Sequence, residues 1–121
     1  MTTALKKIKL DESNWTISQG YWKNILLTGD DLECEGALVQ VVIIPPDSEL
    51  HRHYHKTSRE FYYVLDGESA MTVNDTEHML RAGDMLMMEP WDVHSFRNNT
   101  ERELRLLVCK TNASKNDTFW L

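Results

Sequence analysis

Three of the five histidines of this chain, His51, His53 and His55, fall within five positions, and Glu60 follows after the polar interval Lys56-Thr57-Ser58-Arg59. Residues of one parity in an extended strand project to one face, so the three imidazoles are expected side by side. The interval before Glu60 has room to turn or bulge the chain, after which Phe61-Tyr62-Tyr63-Val64-Leu65 resumes as strand and stops at Gly67. Imidazole nitrogens together with a carboxylate oxygen are the donor set of a transition-metal site. The alternative is a solvated polar strand whose histidines are incidental. Clustering on one parity beside a carboxylate favours the metal.

A second stretch, residues 83–98 (GDMLMMEPWDVHSFRN), offers a further imidazole at His94. Taken together, the two stretches resemble the cupin family. The first cupin motif is matched by His53, one residue, His55, four residues, Glu60, six residues and Gly67. The second is matched by Gly83, an apolar strand, a Pro-containing turn, His94, three residues and Asn98. The segment between them, residues 68–82, has the length that single-domain cupins use. The resemblance runs from Asp47 to Asn98, a little under half of the chain. It implies an all-β fold, an antiparallel double-stranded β-helix or jelly-roll barrel, holding one divalent metal on His53, His55, Glu60 and His94. Iron, manganese, nickel, cobalt and zinc all suit such a set, and four protein ligands leave two positions of a six-coordinate ion open to water, oxygen or substrate. Two departures stand out. Asp47 is where the first motif opens with glycine, and Glu89 and Trp91 flank Pro90 where the second has its proline and glycine.

Parity extends the reading to neighbours. Tyr62 shares a face with Glu60, and Phe96 and Asn98 share one with His94. Tyr62 and His51 are the candidates for supporting roles beside the ligands, His51 alternatively at the surface, while His78 is expected to face solvent. Val64, Phe96 and the methionines Met85, Met87 and Met88 are expected to form an apolar pocket wall. Trp91 either roofs the pocket mouth or packs on the surface, and Trp22 is expected in the core. No lysine or arginine of the two motif strands shares the ligands' parity: Arg52, Lys56, Arg59 and Arg97 point outward or sit in the turn. A pocket so poor in positive charge implies a small ligand, neutral or singly charged, that approaches the metal through oxygen.

Short apolar runs divided by turn signals must position these residues. Strands are expected over 21–27, 37–44, 61–65, 69–73, 76–81, 85–88, 94–97 and 103–110, with breaks at Gly29-Asp30-Asp31, Pro45-Pro46, Asn74-Asp75 and Ala82-Gly83-Asp84. This pattern, without an amphipathic helix, describes an all-β barrel or sandwich. A single domain is expected over residues 1–121, with an arm or short edge strands over 1–20, a core barrel over 37–110 and a tail over 111–121.

The net charge of −6 argues against nucleic acid and anionic membrane surfaces as partners. No apolar run approaches a membrane span, and Lys6, Lys7 and Lys9 interrupt any signal-like start, so a cytoplasmic protein is expected, with Cys34 and Cys109 as reduced thiols. The apolar residues of the arm near Leu5 and of the Phe119-Trp120-Leu121 end suggest a homodimer, although the tail has its own barrel as an alternative docking surface. Outside the ligands there is no nucleophile–base pair and no phosphate-binding glycine loop. The functional expectation is therefore a metal-dependent enzyme on a small molecule, of dioxygenase type or else an isomerase or lyase. The alternative is a barrel that binds a metal or small ligand without turnover.

Overall fold

The computed structural model describes residues 5–121; Met1–Ala4 of the expected arm lie outside the described residues. The chain runs through β1 (Thr16–Ser18), β2 (Tyr21–Leu27), β3 (Leu38–Ile44), β4 (Ser48–Tyr54), β5 (Arg59–Asp66), β6 (Glu68–Val73), β7 (Thr76–Arg81), β8 (Met85–Met88), β9 (His94–Asn98), β10 (Leu104–Thr111) and β11 (Phe119–Trp120). The Gly29-Asp30-Asp31 signal becomes a single helical turn, α1 (Gly29–Leu32), where Thr28 and Asp31 cap one another's backbone. All pairings are antiparallel. They build a six-stranded sheet in the order β1-β2-β3-β10-β5-β8 and a five-stranded sheet in the order β11-β4-β9-β6-β7. The two sheets form the all-β barrel that the strand pattern and the motif resemblance lead one to expect.

Alternation fills the space between the sheets. Val42 and Ile44 of β3, Val64 of β5, Met71 of β6, Phe96 of β9 and Leu104, Leu106 and Val108 of β10 are buried in one cluster. Each such side chain contributes about 1.5–3 kcal/mol relative to exposure, so the barrel has a core that owes nothing to a bound ion. Asn98 is also buried; its amide donates to the carbonyls of Ile44 and Arg102 and so ties two chain crossings together.

Two local features decide what faces the interior. The register of β4 against β9 shifts between Leu50 and His53. This bulge lets both Leu50 and His53 point inward and leaves His51 exposed, so the shared parity of His51 and His53 does not translate into a shared face. At the far edge, β8 presents Met88 to the core but Met85 and Met87 outward, at 53% and 58% exposure. Those two are therefore not pocket lining. Trp22 also faces outward, on a strand next to the sheet edge, rather than into the core, and His78 is half-buried rather than solvent-facing.

Gly67, which closes the first motif, has φ +89, and a Cβ built there would lie 2.7 Å from the Glu103 carbonyl oxygen. Both the left-handed backbone and the close strand crossing exclude a side chain. Gly67→Ala is expected to cost about 2 kcal/mol in urea unfolding. A change within experimental error would show that the crossing can relax.

Candidate metal centre

The bulge of β4 brings His53 inward, His55 follows directly after β4, the polar turn 56–58 carries the chain to the other sheet, and β5 there has Glu60 on its buried face. His94 opens β9 directly opposite His53. Each of these four residues is buried, and each offers one ligand atom within 4.8 Å of the others.

Hydrogen bonds set the tautomers. The Nδ1 of His53 lies 2.8 Å from the His51 carbonyl, that of His55 3.0 Å from the Asp117 carbonyl, and that of His94 3.0 Å from the Asp92 carbonyl. A carbonyl only accepts, so in each ring Nδ1 carries the hydrogen and Nε2 of the neutral imidazole is a bare lone pair. The Nε2 atoms of His55 and His94 stand 2.9 and 2.8 Å from Glu60 Oε1, which also accepts from the Tyr62 hydroxyl at 2.8 Å. Bare nitrogens and a carboxylate oxygen at that spacing repel unless a cation or a proton lies among them. The donor set thus fits a divalent transition ion on three imidazole nitrogens and one carboxylate oxygen.

The electrostatics agree. Burial, with the neighbouring His94, lowers the His53 pKa to about 3 and keeps that ring neutral. Burial alone would raise Glu60, but where a proton stands in for the ion between its Oε1 and the Nε2 atoms of His55 and His94, those contacts, with the positive charge of Lys110, hold it well below the usual carboxylate range. Burial, reinforced by the charge and hydrogen bond of Glu60, pushes the Tyr62 phenol well above its ordinary value, so it stays a donor.

A cavity of about 230 Å³ opens over the cluster, lined by His53, His55, Glu60 and Tyr62 together with residues of β2, β3 and β10. His94 lies behind, almost fully buried. Among the wall residues named from sequence, Phe96 lines this space, whereas Val64 is in the core beneath it and Met85 and Met87 face outward. Arg52, Lys56, Arg59 and Arg97 are exposed, as their parity requires. Even so, the pocket is not poor in positive charge, because Lys23 of β2 and Lys110 of β10 line it and Lys110 Nζ lies 3.6 Å from Glu60 Oε2. Both lysines lie on strands outside the two motifs. Parity along β10 puts Lys110 on the face of Leu104, Leu106 and Val108.

The tail closes one side of the site. The Asp117 carboxylate accepts from the backbone N–H groups of Lys56, Thr57 and Ser58, and so caps the turn between the ligand strands. Burial would raise that carboxyl; the donors hold it below its ordinary value. Its carbonyl fixes His55, and β11 then pairs with β4 so that Trp120 lies opposite His53, ring centroids 4.7 Å apart. The apolar terminus therefore docks on its own barrel. Trp91 does not roof the pocket. It is 60% exposed and stacks on Tyr54, which stacks in turn on Phe119, and Lys56 Nζ sits 4.3 Å from the Phe119 ring.

Three outcomes are expected. His94→Ala strips most of the metal while the protein stays folded, as read by elemental analysis and circular dichroism; full occupancy would remove His94 from the ligand set. Deletion of residues 112–121 weakens metal affinity by roughly 10–100-fold, because His55 loses the carbonyl that orients it; unchanged affinity would show the tail to be dispensable. The third concerns pH. His53 has a folded pKa of about 3 against 6.5, so between those values the unfolded chain binds a proton that the folded chain refuses. The resulting stability is complete above about pH 6.5 and is lost as pH falls towards 3, with Glu60 adding to the loss below 4.5. Thermal unfolding of the metal-free protein should show this slope, and His53→Gln should flatten it. An unchanged slope would mean that His53 is not the refused protonation site.

Comparison with known proteins places this geometry in a family. The sequence model of the cupin domain matches residues 40–110, more than half of the chain. Protein SchB of Streptomyces halstedii is 36% identical over 83 residues, which cover 68% of this chain and 59% of SchB, so the chain spans little more than half the length of that relative. The oxalate-binding protein of Thermotoga maritima is 28% identical over 83 residues, 69% of either chain. Among solved structures, a cupin 2 conserved barrel domain protein from Salinispora arenicola superposes with a TM-score of 0.78 over 92% of both chains at 16% identity, a likeness of fold. Two motifs in order, the barrel that carries them and the match over residues 40–110 lead to one conclusion: this chain belongs to the cupin domain family.

Proposed function

We propose that this chain is a metal-dependent enzyme that acts on a small organic molecule, with dioxygenase-type chemistry as the first reading. The observation that carries it is the clustering of His53, His55, His94 and Glu60 at one side of a cavity, so that an ion held by these four would be within reach of a molecule in that space. Four protein ligands would close a four-coordinate ion, but a six-coordinate one would keep two positions for water, oxygen or substrate. When bound, a divalent iron, manganese, nickel, cobalt or zinc ion supplies Lewis acidity there, and the redox-active ones also exchange electrons with dioxygen. The chain's own residues do the rest. The Tyr62 hydroxyl is committed to Glu60 and positions that carboxylate. Leu50, Phe96 and Trp120 make apolar walls that limit water at the site. At about 230 Å³ the cavity lies below the roughly 300–1,000 Å³ of drug-sized sites, so the substrate is small.

A second reading is a binding module without turnover. It is supported by the likeness to the Thermotoga maritima oxalate-binding protein and by the lack of a nucleophile–base pair among the residues lining the cavity. We place the protein in the cytoplasm as a single domain over residues 1–121 that engages no nucleic acid or membrane, a reading supported by the net charge of −6 and the free thiols Cys34 and Cys109. Among the described residues no helix is long and apolar enough to cross a membrane.

The homodimer remains part of the proposal on a different surface. The tail is occupied on its own barrel, whereas Leu65, Met85 and Met87 expose an apolar strip on the outer face of β5 and β8, with β8 at the sheet edge. Light scattering at micromolar concentration should report a dimer that Met85→Glu/Met87→Glu dissociates. A wild-type monomer would contradict it.

Oxygen uptake by untagged, metal-replete protein against enols, diols and small phenols tests the enzyme reading. Substrate-dependent consumption with iron, manganese or nickel in the site is the expected result. Zinc without uptake would shift the function to an isomerase, a lyase or a binding module.

A further inference from the structure

Two lysines line the cavity from the inner face of the six-stranded sheet, and neither is fully buried. Lys110 of β10 is the cross-strand partner of Glu60 on β5. Lys23 belongs to β2, which is separated from β10 by β3. It pairs with Val42 of β3, and Val42 pairs with Leu106 of β10, so Lys23 is level with Leu106 rather than with Lys110. The two ammonium groups are thus rooted at different places on one wall. Between them the amide oxygen of Gln40 is buried, out of reach of anything in the cavity.

A lysine on the solvent face of a strand needs no explanation, but one on the inner parity stands among apolar neighbours and needs a partner. A wall that served only packing would carry apolar side chains at both positions, as it does at Val42, Leu106 and Val108. Lys110 has a structural reading as the counter-charge of Glu60, its Nζ lying 3.6 Å from Oε2. That contact is an ion pair longer than a hydrogen bond, so the ammonium donors are not committed to Glu60. Nor does a counter-charge for Glu60 account for Lys23, which pairs with no carboxylate among the described residues. Among those residues Glu60 is the one carboxylate lining the cavity, so the space is net positive before any metal enters. A divalent ion on Glu60 would add to that excess.

We propose that this cavity takes a small organic acid as its anion, with Lys110 holding a carboxylate beside the metal-ligand cluster and Lys23 adding positive charge from β2. The inference names the substrate class of the site already described, and it rests on the metal reading to the extent that the carboxylate also faces the ion. A neutral ligand would leave both ammonium groups without a counter-charge. A carboxylate suits the wall better than a phosphate does. Among the described residues neither arginine nor glycine lines the cavity, so the wall offers no guanidinium fork and no glycine-built cradle of backbone N–H groups. At about 30 Å³ per water-sized group the cavity of about 230 Å³ holds roughly eight such groups, enough for an acid of a few carbons.

Malonate, malonamate and malonamide are alike in size and differ in charge, from dianion to monoanion to neutral molecule, so calorimetric titration with the three isolates the charge term. Zinc-loaded and metal-free protein are each titrated, with metal content measured in every sample. In both forms malonate is expected to bind at least about tenfold more tightly than malonamide, with malonamate between them. Lys110→Met and Lys23→Met remove one charge each and should each weaken malonate by roughly tenfold while leaving malonamide unchanged. Lys110→Gln is a second, polar variant for the same loss, and Lys110→Arg, which keeps the charge, should keep the preference. Circular dichroism checks that every variant folds. Equal binding of malonate and malonamide, or no malonate binding to either form, would overturn the proposal. So would a charge preference that survives in metal-free protein lacking both lysines, or inorganic phosphate bound more tightly than malonate. Stoichiometric zinc without a charge preference would sink this inference alone, whereas the preference in a protein that takes up no metal would uphold it and sink the metal reading.

Discussion

The centre depends on one constraint, repeated three times: a backbone carbonyl holds Nδ1 of each histidine, which leaves Nε2 as the free nitrogen, and those of His55 and His94 meet Glu60. The carbonyls come from different parts of the chain. His51 supplies its own strand neighbour, Asp92 supplies His94 from the preceding turn, and Asp117 reaches His55 from the tail. A carboxylate buried beside three imidazoles is stable only when their lone pairs share a cation or proton with it. The apolar strands bring the four groups together, and the carbonyls decide which atoms meet.

The turns around the site show how the chain manages departures from the family motifs. Asp47 and Trp91 stand where the motifs carry glycine, and both adopt the left-handed backbone, at φ 50° and 76°. Aspartate tolerates that region, but a tryptophan there is strained. What holds Trp91 is visible around it: its N–H donates to the His55 carbonyl at 2.7 Å, and its ring joins the Tyr54–Phe119 stack. The unusual turn and the tail are thus fastened to each other across β4, on the side of the barrel where the ligands sit.

The cluster of His53, His55, Glu60 and His94 and the barrel are legible because residue type and spacing carry them: imidazoles two apart, a carboxylate five further on, and apolar alternation in strands. Other features carry no such signal. The bulge that turns His51 outward is a property of β4 pairing with β9, not of residues 51–53 themselves. Asp117 acts on His55 through a backbone carbonyl from 62 positions away, and any residue has a carbonyl. Lys110 and Gln40 differ, since each is the lone polar residue on the inward parity of an apolar strand. That interruption is legible in strands that lie outside the two motifs. Met85 and Met87 differ again: four apolar residues in a row fit a wall on either face, and only the pairing of Met85 with Tyr63 and of Met87 with Phe61 puts that half of β8 on the outer face.

The chemistry of the centre turns on what lies among His53, His55, Glu60 and His94. X-ray absorption on untagged protein, with the metal quantified in the same sample, addresses that directly. About one transition ion per chain is expected, with a first coordination sphere of three imidazole nitrogens and oxygen donors and with the imidazole signal reduced in His55→Ala. A protein that takes up no transition ion under saturating conditions, or one whose bound ion shows no imidazole scattering, would contradict it.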